Sequence, residues 1–227
     1  MSATRLDRFL SHIRRNPAFG RSAGQYIQPR YILTALAMLS SLAAFASPAS
    51  AHSGTGLVGG FISGFLHPLT GWDHLLAMVS VGLWGAVLGR PLIITLPVIF
   101  PVLMVVGAFL GMINVPLPPV EIGIALSVLV LGGVITAGYK APVWLACLVV
   151  AIFALFHGYA HGKELPSAAD PAGYSTGFVL STGLLHVGGI VIGLLNGTEK
   201  GKWIVRGIGA AIAAAGCVFL AQAAAGA

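Results

Sequence analysis

From residue 72 to residue 224 the chain runs through six apolar stretches, and this pattern decides what it can fold into. They are Trp72–Gly89, Leu92–Ile113, Val120–Gly138, Val143–His157, Tyr174–Leu195 and Trp203–Ala224. A helix rises roughly 1.5 Å per residue, so about 20 apolar residues cross the hydrocarbon of a bilayer. The fourth stretch is short and is expected to continue to about His161. Most connections are brief and carry turn residues: Arg90-Pro91, Val115-Pro116-Leu117-Pro118-Pro119, Tyr139-Lys140-Ala141-Pro142 and Asn196-Gly197-Thr198. No stretch keeps the period of two that a half-buried strand needs. The expected fold class is all-α, a polytopic membrane helix bundle of six transmembrane helices.

Composition removes the competitors. Only 8% of residues are charged and 57% are apolar, against roughly 25% charged in soluble domains. So few charges cannot cover a water-facing surface, which excludes a soluble enzyme. Disorder would need low hydrophobicity and high net charge. Gly and Ala crowd the apolar stretches, notably Gly132-Gly133, Gly188-Gly189 and the run from Ala210 to Ala215. Small residues let membrane helices approach closely. Cys147 and Cys217 both lie in apolar runs and read as small buried packing residues rather than a disulfide.

The net charge of +6 resembles a nucleic-acid signal until the charges are located. Arg5, Arg8, Arg14, Arg15, Arg21 and Arg30 face Asp7 alone within residues 1–51, whereas the remaining 176 residues are nearly balanced. No nucleic-acid partner is implied; the expected surroundings are lipid. The Arg-rich start, the apolar residues 31–46 and the small-x-small site Ala49-Ser50-Ala51 follow the order of a secretory signal peptide. Residues 1–51 are therefore expected to be removed, leaving a mature domain of residues 52–227 that begins at His52. An uncleaved anchor helix is the alternative. With residue 52 outside, the loops at Arg90, Lys140 and Lys200/Lys202 fall inside, as the positive-inside rule requires. A bacterial inner membrane protein with both mature termini outside is expected. Residues Gly54–Leu66 are too short to span and too Gly-rich for a good free helix, and read as a re-entrant or surface-lying segment. Trp72, Trp84, Trp144 and Trp203 lie near helix ends and read as an interfacial belt.

The chemistry is carried by histidine. An ionisable residue inside a membrane is a functional hypothesis by default. His67, Asp73 and His74 sit where the first helix begins, and His157 and His161 where the fourth ends. The topology puts both places at the outer face. The spacing of His157 and His161 projects both imidazoles from one helix face, where they can share a metal. Gly158 and Gly162 make room beside them. Pro68 and Gly71 break the chain, so His67 can fold back towards Asp73-His74. His186 falls near mid-membrane with Thr182 one turn above it. His52 would add a free amine and an imidazole. This is an N/O donor set without thiolates, and imidazole suits Ni, Zn, Cu and Fe. Plainer roles stay open. An interfacial His caps helices, Asp73 could be an N-cap, Glu121 fits an ordinary first turn, and His52 could be a terminus that merely begins with His. His12 lies in the leader.

The run GFISGFLHPLTGWDHLLAMVSVGLWG at 60–85, with His67-Pro68, Gly71 and Asp73-His74, resembles the opening signature of the HupE/UreJ family of hydrogenase and urease accessory membrane proteins. FHGYAHGKELP at 156–166 and GFVLSTGLLHVGG at 177–189 are similar to that family's later blocks. The resemblance implies six membrane helices after a signal peptide and transport of nickel, or of cobalt in some members, for metalloenzyme maturation. The His-x5-Asp-His arrangement is also similar to the His-x4-Asp-His signature of nickel/cobalt permeases, with one more residue in the spacer. No GxxxxGK[ST] motif occurs, so transport would be channel-like, ion-coupled or partner-driven. The leading expectation is a secondary permease for Ni²⁺, with Co²⁺ as a close substitute. His52 and His67 would capture the ion, Asp73, His74, His157 and His161 coordinate it, and His186 pass it deeper. One alternative is an intramembrane Zn²⁺ hydrolase with Glu121 or Glu164 as base, against which no Ser, Lys or Arg stands placed as nucleophile or anion clamp. The other is a metal-binding assembly factor without transport.

Overall fold

Apolar runs of this length fold as helices because hydrocarbon leaves each backbone N–H and C=O to be satisfied within its own segment. A computed structural model describes residues 57–164 and 170–226. The chain divides into Met1–Ser47 and Pro48–Ala227. The leader, the Ala49-Ser50-Ala51 site, His52 and the side chain of Glu164 lie outside the described residues.

The elements are α1 (Leu57–Thr70), α2 (Trp72–Leu88), α3 (Leu92–Met112), α4 (Val120–Ala137), α5 (Val143–Glu164), α6 (Pro171–Gly193), a 3-10 turn (Leu194–Gly197) and α7 (Glu199–Gly226). No strand occurs among the described residues. The last five α-helices are each long and apolar enough to cross a membrane, and α1 and α2 pass that test together as a pair bent by 81°. This is a multi-pass membrane protein. All six expected stretches are helical. The fourth runs on past His161 to Glu164.

Residues 57–66 are helical although their glycines make a poor free helix, and the 81° bend that follows suits a broken span or a re-entrant segment. Docking supplies the stability that intrinsic propensity withholds. A Cβ at Gly64 would lie 2.0 Å from the Tyr174 carbonyl oxygen, and one at Gly177 2.1 Å from that of Phe61. The missing side chains are thus what seats α1 on α6. Pro68 lies within α1 rather than breaking the chain. The break falls at Gly71, in extended conformation with φ −86° and ψ 108°.

Helix α2 is the axis of the bundle and packs on α3, α4 and α6. Its Ala77, Met78, Val81, Leu83 and Trp84 are buried. Trp84 therefore belongs to the core and not to an interfacial belt. Trp72, Trp144 and Trp203, each at least 67% exposed, keep that reading. The other pairs, α3 with α5 and α4 with α7, also meet through glycine. Around the outside, Ile94, Val98, Val102, Val105 and Phe109 of α3 form an exposed stripe at helical spacing, the face such a helix gives to lipid. Cys217 is exposed on α7 rather than buried, because α4 covers the opposite face of that helix; Cys147 is half-buried. Helix ends are closed locally. The Thr198 hydroxyl accepts from the Gly201 N–H at 2.9 Å, an N-cap. Lys140 Nζ donates to the Val87 carbonyl at 2.6 Å.

Candidate metal centre

The bend at Gly71 folds the end of α1 beside the start of α2, and the end of α5 meets both. Four imidazoles come together there. The His67 ring centroid is 4.8 Å from that of His161 and 6.1 Å from that of His74. His74 stands 4.8 Å from His161 and 4.9 Å from His157. His67 thus folds back, and His157 and His161 share one helix face. Phe178 packs on His161 at 4.3 Å, and Tyr174 lies 5.9 Å from His67, so α6 closes the side of the cluster.

His157 and His161 are buried, 0% and 6% exposed, whereas His67 and His74 are half-buried. Two rings are oriented by partners of known kind. His157 Nδ1 lies 2.9 Å from the Phe153 carbonyl oxygen, one turn back, so Nδ1–H donates there. His74 Nδ1 lies 2.8 Å from Asp73 Oδ1, which also accepts from the His74 backbone N–H. Both bonds fix the tautomer that leaves Nε2 with a lone pair. His74 Nε2 and His157 Nε2 are buried without a hydrogen-bond partner. A carboxylate on one imidazole nitrogen with the other nitrogen free is the usual support of a metal-ligating histidine. Asp73 Oδ1 thus holds both the ring and the backbone N–H of His74.

The donor chemistry fits a borderline divalent ion such as Ni²⁺ or Zn²⁺. Among the described residues, no three or more His, Cys, Asp or Glu side chains are arranged so that they could hold a metal ion as they stand. The rings meet edge to face, and closing on an ion would take side-chain rotations.

Gly158 and Gly162 do not open space for the imidazoles, as the sequence suggested. A Cβ at either would lie 2.1 and 2.0 Å from the Met104 and Ala108 carbonyl oxygens. Helix α3 fills that space, and the glycines hold α5 against it with the histidine face turned inward.

His186 is buried on α6 but stands apart from the four. The Phe100 ring lies between, 5.5 Å from His157 and 5.4 Å from His186. Phe100 sits in α3 between Pro97 and Pro101. Pro101 has no N–H, so the Pro97 carbonyl lacks its helical donor. His186 faces that oxygen without closing a hydrogen bond of ordinary geometry. Phe100, Tyr174 and Phe178 were not recognisable as site residues from the sequence. The one signal was two prolines flanking an aromatic in an otherwise unbroken apolar helix. Glu121 is exposed and shares with Asp73 and Gln222 a separate cavity of about 500 Å³ between α4 and α7.

The fold and site define a polytopic membrane protein with histidines gathered inside its helix bundle. The sequence matches the family described as HupE / UreJ protein over residues 39–219. It is 42% identical over 182 residues to Protein HupE of Rhizobium leguminosarum bv. viciae, covering 80% of this chain and 95% of that protein. No solved structure matches. The chain belongs to the HupE/UreJ family of hydrogenase and urease accessory membrane proteins.

Proposed function

We propose that the protein is a secondary permease that carries Ni²⁺, or a similar divalent ion such as Co²⁺, inward across the bacterial inner membrane for metalloenzyme maturation. The observation that carries the reading is the gathering of His67, His74, His157 and His161 from three helices, with two buried Nε2 atoms left unpartnered. Buried polar atoms without partners call for a ligand. Neutral imidazoles bind a divalent ion without adding permanent charge to the membrane interior. Several such sites at staggered depth allow binding weak enough for release. In this reading Asp73 orients His74, His67 and His52 receive the ion, and His186 takes it further in.

Uptake of radioactive nickel into sealed vesicles tests the proposal. His74→Ala, His157→Ala and His161→Ala should each lower uptake at least about 10-fold, as even outer-shell losses do, with protein still present in the membrane. His157→Ala combined with His161→Ala should be little worse than either alone, because both empty one site. Uptake that survives His74→Ala and His161→Ala at normal expression would overturn the shared site.

A further inference from the structure

Hydroxyls in membrane helices ordinarily bond a carbonyl one turn back. Several in this protein do so: Ser80 donates to Leu76, Ser127 to Ile124, Thr136 to Gly132 and Thr176 to Ala172, at 2.6 to 2.8 Å. Ser181 and Thr182 do not. Each is 1% exposed, and neither Oγ has a hydrogen-bond partner. Two adjacent hydroxyls have given up the bond their own helix offers, at a depth where nothing else replaces it. Unpaired hydroxyls in an apolar interior cost free energy, so their position calls for a ligand.

Their place in the fold says which. Thr182 and His161 line one crevice of about 80 Å³ between α3, α5 and α6. That is room for several waters. The rest of the lining is mostly apolar, with Met104, Phe178 and the exposed Val105 and Val179, so the crevice borders the lipid-facing surface and a polar occupant would rest on a few groups. One turn further along α6, on the face of Thr182, stands His186. The Phe100 ring packs against both His157 and His186.

We propose that the Ser181 and Thr182 hydroxyls form, with His186, a second station that holds a partly hydrated divalent cation after it leaves the histidine cluster. The hydroxyls give neutral oxygen donors to the ion or to its remaining waters, where no carboxylate is available. The station rests on the permease reading, since it serves an ion in transit.

The test uses the full chain in sealed proteoliposomes with an entrapped nickel-responsive dye, and Ni²⁺ retention by the detergent-solubilised protein in equilibrium dialysis. Ser181→Ala with Thr182→Val keeps the volumes and removes both oxygens. Maximal uptake should fall about 10-fold or more, the scale of a lost hydrogen bond to a charged group, while Ni²⁺ retention stays within about 2-fold. Thr182→Ser should retain uptake, because it keeps the oxygen and drops only a methyl. The double variant should melt no lower than the wild type without metal, since unpaired hydroxyls have been removed. Wild-type uptake in the double variant overturns the station and leaves the permease reading standing. Equal losses of retention and uptake would place the hydroxyls in support of the cluster and also overturn it. Should the double variant not reach the membrane, Ser181→Ala and Thr182→Ser decide: equal loss in both would make shape, not oxygen, the requirement. A wild type that moves no Ni²⁺ would overturn the permease reading, and the station with it.

Discussion

Gly158→Ala changes no proposed ligand and should still disable the site. The added Cβ would stand 2.1 Å from the Met104 carbonyl oxygen, where real contacts do not fall below 3.0 Å. That oxygen is backbone and cannot swing aside, so α3 and α5 must part locally by about 0.9 Å. Overpacking of this kind costs about 1–3 kcal/mol. Alanine is otherwise the better helix former by about 1 kcal/mol, so the measured loss is the clash less that gain. The functional effect should exceed the structural one. His157 precedes the substituted residue, and metal sites tolerate misplacement of about 0.5 Å. Nickel uptake should drop at least about 10-fold, with a lower melting temperature in detergent. Gly133→Ala is the control: nothing lies within 4 Å of its Cβ position, so it should be neutral or slightly stabilising. If Gly158→Ala melts and transports like Gly133→Ala, the close contact of α3 with α5 is not what sets the histidines.

Asp73→Asn keeps the shape but loses the charge that holds the His74 tautomer, so Ni²⁺ affinity in dialysis should weaken about 10- to 100-fold; unchanged affinity would remove Asp73 from the site. Loop charges predict that an impermeant thiol reagent labels Ser167→Cys in intact cells and not Thr198→Cys; the reverse pattern would put the histidine cluster on the cytoplasmic side. Mass spectrometry of the membrane-inserted protein should find His52 at the N-terminus, and intact Met1 would make residues 31–47 an anchor.

The place of the six long helices α2 to α7 was legible because hydrocarbon thickness writes itself into sequence as run length. What each helix face touches was not. In a soluble helix, polar residues mark the outside. Beyond Asp73 and His74 helix α2 is apolar nearly all round, so no polar face in the sequence told buried Trp84 from exposed Trp72. Glycine is ambiguous for a related reason. Gly133 and Gly158 look alike in the chain, yet one faces open space and the other a backbone oxygen of a different helix. The histidine set was readable from composition and spacing, since imidazole in an apolar run is conspicuous. Its internal division was not. Phe100 separates His186 from the other four only because α3 passes between, and that crossing is a property of three helices at once.

The bend at Gly71 also bears on how a cation could be held with a single nearby carboxylate. Aligned peptide dipoles leave about half an elementary negative charge at a helix C-terminus and the opposite at its N-terminus. Two helices end at the cluster: α1, with His67 in its last turn, and α5, with His161 in its last turn. The positive end of α2 begins at the same place and carries Asp73 in its first turn, which offsets it. Lys163, also in the last turn of α5, donates its ammonium to the Asn114 side-chain oxygen at the exposed edge. The two negative helix ends and Asp73 all favour a cation at this point. An unbroken helix through residues 57–88 would carry the negative end of α1 away from this point. The kink turns the backbone itself into a counter-ion.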